Sequence, residues 1–178
     1  MASVEPSIRD SAFSVLQKAV GSLQPGDFRS LSIGIFYFFW YCDGAGAQEE
    51  ASRSIAELYK SVETAQQGEW TKCLVFTLAK FWGRLDYHRQ NKFLLLAKDI
   101  FEEKYREVLK GGRDSLIEWN RFVREEVLGK EGGRELGLEL LFKAEEVFVG
   151  KCDSASMLFL SCKPFLDVSS PAIFFCQR

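Results

Sequence analysis

The sequence is poor in the residues that build metal and redox sites. It holds a single histidine, His88, and five cysteines, none of which forms a C-x-x-C pair. Structural zinc sites need four Cys or His ligands at short spacings, so no zinc-site spacing exists here. The odd cysteine count and the absence of a secretory leader in "MASVEPSIRD" predict a reducing, intracellular compartment. We expect no metal and no cofactor.

A strong excess of charge is also missing. The formal net charge is −2 at pH 7, whereas a stand-alone nucleic-acid binder is usually basic. Any RNA contact is therefore expected from a local patch or from sequence outside this chain. Long hydrophobic runs are absent too. The apolar stretch "LSIGIFYFFWYC" at 31–42 ends at Asp43 and is shorter than the roughly 20 residues of a membrane span.

What the chain does contain is apolar residues at helical spacing, without a convincing strand pattern or a glycine-rich phosphate loop. The 31–42 stretch is apolar on every side, which favours a helix buried between neighbours. Segments 48–63 and 70–82 predict further helices, and a long one from 84 is expected to end at the glycines 111 and 112. The stripe predicted for the first helix is Ile8, Ala12, Val15, Leu16, Ala19, Val20 and Leu23.

This succession of roughly seven or eight helices predicts an all-α fold. Its simplest form is stacked antiparallel helix pairs, a HEAT-like α-solenoid, and the alternative is a compact helical bundle. At 178 residues the chain fits a single domain, 1–178. We expect that domain to be incomplete at its C-terminal end, because Ile173, Phe174 and Phe175 stand where a solenoid needs a polar cap.

Two ordered segments carry a resemblance to a known family. "LSIGIFYFFWYCDGAGAQEEASRSIAEL" and "TLAKFWGRLDYHRQNKFLLLAK" resemble signatures of the nucleolar ribosomal RNA-processing protein 1 family, and "EPSIRDSAFSVLQKAV" is similar to its N-terminal helix. Phe81, Asn91 and the Leu74-Val75 pair depart from the family pattern, which makes the chain a divergent member. The matching positions are Arg9, Asp10, Ala12, Leu31, Gly34, Phe36, Tyr37, Trp40, Asp43, Gln48, Thr77, Trp82, Asp86, Arg89, Lys92 and Phe93.

The resemblance implies a non-catalytic scaffold of the nucleus and nucleolus. Such proteins bind early large-subunit pre-ribosomes beside other assembly factors and support maturation of the precursor RNA around the internal spacers. It implies as partners the nucleolar large-subunit assembly factors, with pre-ribosomal RNA reached through a local patch or through the long basic extension that members usually carry. No membrane and no small-molecule substrate is expected.

Asp86, Arg89 and Lys92 are the candidate partner- or RNA-facing residues. At i, i+3 and i+6 they share part of one helical face, and Asp86 and Arg89 are spaced to form an ion pair. One interpretation is a structural salt bridge with Lys92 solvated, and the other is a charged surface that meets RNA phosphate or an acidic partner. Asp43, by contrast, is predicted to cap the next helix. The remaining signature positions are predicted to be mostly structural: Gly34, Phe36, Tyr37, Trp40, Gln48, Thr77, Trp82 and Phe93.

Two other functions are compatible with the residues alone. A generic helical-repeat adaptor, unrelated to ribosomes, would bind a peptide or helix in a groove. A cysteine-dependent enzyme would require His88 to approach Cys42 or Cys73 within hydrogen-bond distance in a cleft. No nucleophile motif surrounds either cysteine, so we expect no enzymatic activity.

Overall fold

The computed structural model describes residues 5–128 of the chain. Among them, every second helix packs together: α2 lies chiefly against α4, and α3 against α5. This is the arrangement of helices stacked in two layers, and no strand occurs in the range described. The predicted all-α class with stacked helices is confirmed. The helices are Pro6–Ala19 (α1), Pro25–Trp40 (α2), Ala45–Ser61 (α3), Gln67–Trp82 (α4) and Tyr87–Phe122 (α5), followed by a π-helical turn at Val123–Leu128.

Helix α2 is the core helix that the aromatic run predicts. It begins at Pro25, where a proline is tolerated because the first helical N–H groups have no partner. Phe36 stacks on Phe81 and Phe93, with ring centroids 4.7 and 4.6 Å away. Phe28 lies edge-on to Trp70 at 5.2 Å. Burial of rings on several sides of one helix explains why its sequence is not amphipathic.

The stripe predicted for α1 is wrong in part. Ile8 and Val15 are 59% and 66% exposed, while the buried face is formed by Arg9, Phe13 and Leu16. Phe13 stacks on the Phe38 ring of α2 with centroids 4.4 Å apart. A phenylalanine removes more apolar area from water than a valine does, so the ring sets the rotation of the helix.

The predicted glycine break in the long helix is present at one residue. Gly112 has φ of +72°, a left-handed conformation that glycine adopts without steric cost. The helix does not end at Gly112, however. It is kinked there, and α5 continues beyond it to Phe122. The apolar positions on both sides are buried, as their spacing predicts: Phe93, Leu96, Ile100, Tyr105, Val108, Leu116, Trp119 and Val123.

Several predictions fall outside the described residues. They are the last of the seven or eight predicted helices and the apolar C-terminal end at Ile173, Phe174 and Phe175. The extent of the domain to residue 178 belongs to the same group. Across residues 5–128, no helix combines the length and the apolar character that a membrane span requires.

Candidate functional site

The polar signature residues from three separate segments meet around the turn that joins α2 to α3. We call this region the α2–α3 junction, and its main chain is the segment 41–44. Helix α1 approaches it from one side and the first turns of α5 from the other. The signature residues at the junction are Arg9, Asp10, Trp40, Asp43, Gln48, Asp86, Arg89 and Lys92.

Lys92 binds the C-terminal end of α2. Its Nζ donates to the carbonyl oxygen of Trp40 at 2.9 Å and to that of Cys42. The prediction that Lys92 is solvated is wrong, since only 8% of the residue is exposed. The last carbonyls of a helix lack intrahelical partners and carry the negative end of its dipole, so an ammonium group is stabilising there. Gln48 adds a third contact, with Nε2 3.3 Å from the Cys42 oxygen.

Burial and neighbouring charges change the pKa of the Lys92 ammonium group. Burial lowers the pKa of Lys92, because an ion loses solvation inside the protein. The carboxylate of Asp43 raises the pKa and offsets part of that effect, while Arg89 and Arg9 lower it. The Lys92 charge is thus held among main-chain carbonyls and Asp43, and it is not offered to solvent.

Asp86 and Arg89 form the predicted ion pair. Asp86 also has a role that the spacing argument missed: it is the N-cap of α5, and its Oδ1 accepts a hydrogen bond from the Arg89 main-chain N–H at 3.0 Å. That backbone hydrogen bond is the main cause of a lowered pKa at Asp86, with the Arg89 side chain adding to it. An aspartate directly before a helical segment is the sequence signal for such a cap.

Arg89 contacts both Asp86 and the aromatic ring of Trp40. Its guanidinium lies over the Trp40 ring, 4.4 Å from the centroid. Arginine stacks on aromatic faces because the planar cation meets the negative face of the ring. Trp40 is consequently half-buried at the edge of the core, with one face covered by Arg89.

The prediction that Asp43 caps the next helix is wrong. The N-cap of α3 is Gly44, with φ of +89° and no side-chain hydrogen bond to the helix. Only glycine adopts this conformation readily, so the turn is completed one residue after Asp43. The Asp43 side chain remains exposed at the surface of the junction.

The other signature residues lie in the core. Thr77 shares a buried hydrogen bond with Ser32, the two hydroxyl oxygens being 2.8 Å apart. Trp82 and Phe93 are almost entirely buried. Gly34 lies half-buried on α2, and the Tyr37 ring contacts Phe81 edge-on from the surface.

Two clefts open on either side of Asp43. The cleft toward α5, which we call the Arg89 cleft, has a volume of about 730 Å³ and includes Trp40, Gln48 and His88 in its lining. The cleft toward α1, which we call the Arg9 cleft, has a volume of about 380 Å³. The junction therefore presents two concave surfaces, one on each side of a turn fixed by Lys92.

At Cys42 and Cys73, the two cysteines within the described range, the geometry does not favour a nucleophile. Burial raises the pKa of both Cys42 and Cys73, whereas a reactive cysteine needs a lowered pKa. His88 is exposed and contacts the Tyr87 ring, and no hydrogen bond joins it to either of these cysteines. In the same described part of the chain, no group of His, Cys, Asp or Glu is placed to hold a metal ion.

Comparison with known proteins gives two matches. Residues 1–157 match the family model described as nucleolar protein, Nop52. The chain is also similar to ribosomal RNA processing protein 1 homolog A of Mus musculus, with 26% identity over 164 residues. The matched region covers 90% of this chain and 32% of the mouse protein, so the chain spans about a third of the length of that relative. All residues of the α2–α3 junction lie inside the family match.

Proposed function

The chain belongs to the Nop52 family of nucleolar proteins, and we propose that it is a non-catalytic scaffold in assembly of the large ribosomal subunit. It acts in the nucleolus, where it supports processing of the precursor ribosomal RNA. The family match carries this proposal. The similar mouse protein is named for ribosomal RNA processing, which is the reason for placing this chain on the same RNA.

The architecture supports a scaffold mechanism. Stacked helices present a rigid surface, and rigidity reduces the entropy that a partner must lose on binding. At the α2–α3 junction, Lys92, Gln48 and the Asp86 cap fix three chain segments relative to one another. Their effect is to hold the two clefts in one shape, so that a partner protein meets a preformed surface.

Of the three residues that the sequence predicts for the binding face, two lie at the surface. Lys92 is withdrawn into the protein, which leaves Asp86 and Arg89, with side chains 46% and 43% exposed, at the surface. Both belong to the Arg89 cleft, together with Trp40 and His88. A cleft with one tryptophan edge and one arginine has the composition typical of protein-interface hot spots. We assign it to a nucleolar assembly factor.

Affinity for RNA requires more than this chain. With a formal net charge of −2, the chain has no overall excess of positive charge to drive the counterion release that dominates nucleic-acid affinity. The scaffold therefore holds a protein partner against pre-ribosomal RNA, and sequence outside this chain supplies electrostatic attraction to the phosphates. Its partners are large-subunit assembly factors and the pre-ribosomal RNA.

Affinity purification tests the proposal. The full-length protein would be tagged in its own cells, and co-purifying RNA and proteins would be identified for the unchanged protein and for Arg89→Ala. Arg53→Ala is the matched control, since Arg53 is exposed and pairs only with Glu49 in the described part. We expect large-subunit precursors and nucleolar assembly factors with the unchanged protein and the control, and reduced recovery with Arg89→Ala.

Two results would contradict it. Recovery of an unrelated complex without ribosomal precursors would remove the ribosomal role and favour the generic adaptor. Equal recovery with Arg89→Ala and Arg53→Ala would leave the scaffold in place but remove the Arg89 cleft as its binding face. Thermal unfolding of both variants must first show that each remains folded.

A further inference from the structure

The Arg9 cleft has two phenylalanines in its lining and an acidic rim. It lies between α1 and α3 beside the end of α2, with a volume of about 380 Å³. Phe13 and Phe38 are the phenylalanines, and their rings stack on each other with centroids 4.4 Å apart. Three carboxylate side chains border the opening, those of Asp10, Asp43 and Glu50.

The three carboxylates of the rim outnumber the two cations near them, which are Arg9 in the lining and Lys92, whose pKa the Asp43 carboxylate raises. Arg9 is the cation in the lining, and its Nε lies 3.9 Å from Oδ1 of Asp10. Among the described residues, neither Asp43 nor Glu50 has a cation within ion-pair distance, and both are exposed. Two carboxylates therefore face the cleft without an ion-pair partner, which makes the opening attractive to a positive charge.

Arg9 shows which further group a ligand of this cleft needs, because its buried Nε has a hydrogen to donate. The residue is only 7% exposed, and its Nε has no hydrogen-bond acceptor among the described residues. A buried donor without an acceptor is costly, and a carbonyl oxygen is the usual group that satisfies it. A ligand suited to this cleft thus combines a cation, an apolar stem and a carbonyl oxygen.

A lysine or arginine residue in a peptide offers all three. Its aliphatic stem packs on apolar surface while the charged head reaches polar groups, and a cation near a phenylalanine face gains further attraction. Nucleic-acid phosphates do not fit, because the carboxylates of the rim repel them.

We propose that the Arg9 cleft is a docking groove for a short basic segment of a partner protein. The segment packs the aliphatic stem of a lysine or arginine against the Phe13 and Phe38 side of the cleft and places its charge between Asp43 and Glu50. The site shares Asp43 with the Arg89 cleft but is otherwise lined by different residues. It goes beyond the scaffold role and can be tested on the purified protein alone.

A peptide titration followed by two-dimensional amide NMR tests the groove. The probe is an eight-residue peptide of alternating lysine and alanine, compared with a peptide in which glutamate replaces each lysine and with a single-stranded RNA oligonucleotide. We expect saturable binding of the lysine peptide alone, with the largest shifts in the amides of Asp10, Ala47 and Ser54, which line the cleft.

Charge variants distinguish binding in the groove from non-specific electrostatic attraction to the protein. Glu50→Gln and Asp43→Asn should each weaken binding of the lysine peptide roughly two- to fivefold at low salt, the range for exposed ion pairs. Glu49→Gln is the matched control for Glu50→Gln. It removes the same charge from the preceding residue of α3, which lies outside the cleft lining. The control should leave the dissociation constant unchanged.

Three outcomes would overturn the proposal. They are no saturable binding of the lysine peptide up to about 1 mM, equal weakening by Glu49→Gln and Glu50→Gln, and preferential binding of the glutamate peptide or the RNA. Each of these results is independent of ribosomal co-purification, so the groove and the proposed function fail or survive separately.

Discussion

Replacing Lys92 with methionine should lower the free energy of unfolding by about 3 kcal/mol. The change keeps the length and the apolar stem of the side chain, so core packing is little disturbed. It removes the ammonium that donates to the Trp40 and Cys42 carbonyl oxygens at the end of α2. Gln48 continues to bind the Cys42 oxygen at 3.3 Å, and the Trp40 oxygen loses its Lys92 donor.

The magnitude follows from these contacts. A hydrogen bond from a charged group contributes roughly 1.5–3 kcal/mol, and a cation at a helix C-terminus adds about 0.3–1 kcal/mol. Two such bonds and the dipole contribution give a gross loss of about 3–7 kcal/mol. Relief of the desolvation that lowers the Lys92 pKa offsets part of it, which brings the expected net loss to the lower end.

Equilibrium unfolding in urea, followed by tryptophan fluorescence, measures the loss. Lys110→Met is the matched control, because Lys110 lies exposed on the same helix and its replacement should change stability by less than about 0.5 kcal/mol. A loss below about 1 kcal/mol for Lys92→Met would refute the reasoning, since it would mean that the ammonium is not needed at the end of α2.

Three further perturbations test other parts of the structure. Asp86→Ala should lower stability by about 1 kcal/mol in urea unfolding, because the N-cap of α5 is lost; full stability in the alanine variant would contradict this role. Phe36→Ala should cost about 3–5 kcal/mol, against less than about 0.5 kcal/mol for exposed Val15→Ala, and similar losses would contradict the assigned core. Burial raises the pKa of Asp99, partly offset by the hydrogen bond from Ser52, so the ionised form is disfavoured in the folded state. Stability that is present below pH 3.8 is therefore lost as the pH rises through the raised pKa. The melting temperature of the unchanged protein, measured relative to that of Asp99→Asn, should therefore fall from pH 3 to 7, and a difference that stays constant with pH would contradict it.

Apolar spacing and segment length were sufficient to predict helices α2 to α5, and spacing also predicted the buried positions of α5. The run 31–42 could be assigned to a core helix because it exceeds strand length and is apolar on every side. The rotation of α1 could not be assigned in this way, since Ile8 and Phe13 offer alternative apolar faces on one helix. Stacking of Phe13 on Phe38 decides between them, and that contact depends on tertiary structure.

The candidate site was predicted less well, and the two cations at the junction show why. Lys92 precedes the core residue Leu96 by four positions, and Arg9 precedes Phe13 by four, so each cation lies on the buried face of its helix. The spacing of Asp86, Arg89 and Lys92 alone suggested a surface. Recognising Lys92 as a C-terminal cap requires its contact with Trp40, which lies 52 residues away in the chain.

The family resemblance that the sequence carries is confirmed by the match over residues 1–157. Its signature combines two kinds of residue. Phe36, Trp82 and Phe93 build the aromatic core, whereas Lys92 and Gln48 fix the turn that follows α2. In this chain Lys92 and Gln48 hold the α2–α3 junction together, and Asp43 and Asp86 remain exposed on it.

Depletion of the protein, followed by measurement of precursor ribosomal RNA, tests whether it acts in large-subunit assembly. Cells would be depleted of the endogenous protein and supplied with the full-length protein or with no copy, and large- and small-subunit precursors would be quantified by northern blot. We expect large-subunit precursors that retain internal spacer sequence to accumulate, small-subunit precursors to stay unchanged, and the full-length protein to restore processing. Normal large-subunit precursors after complete depletion would contradict it.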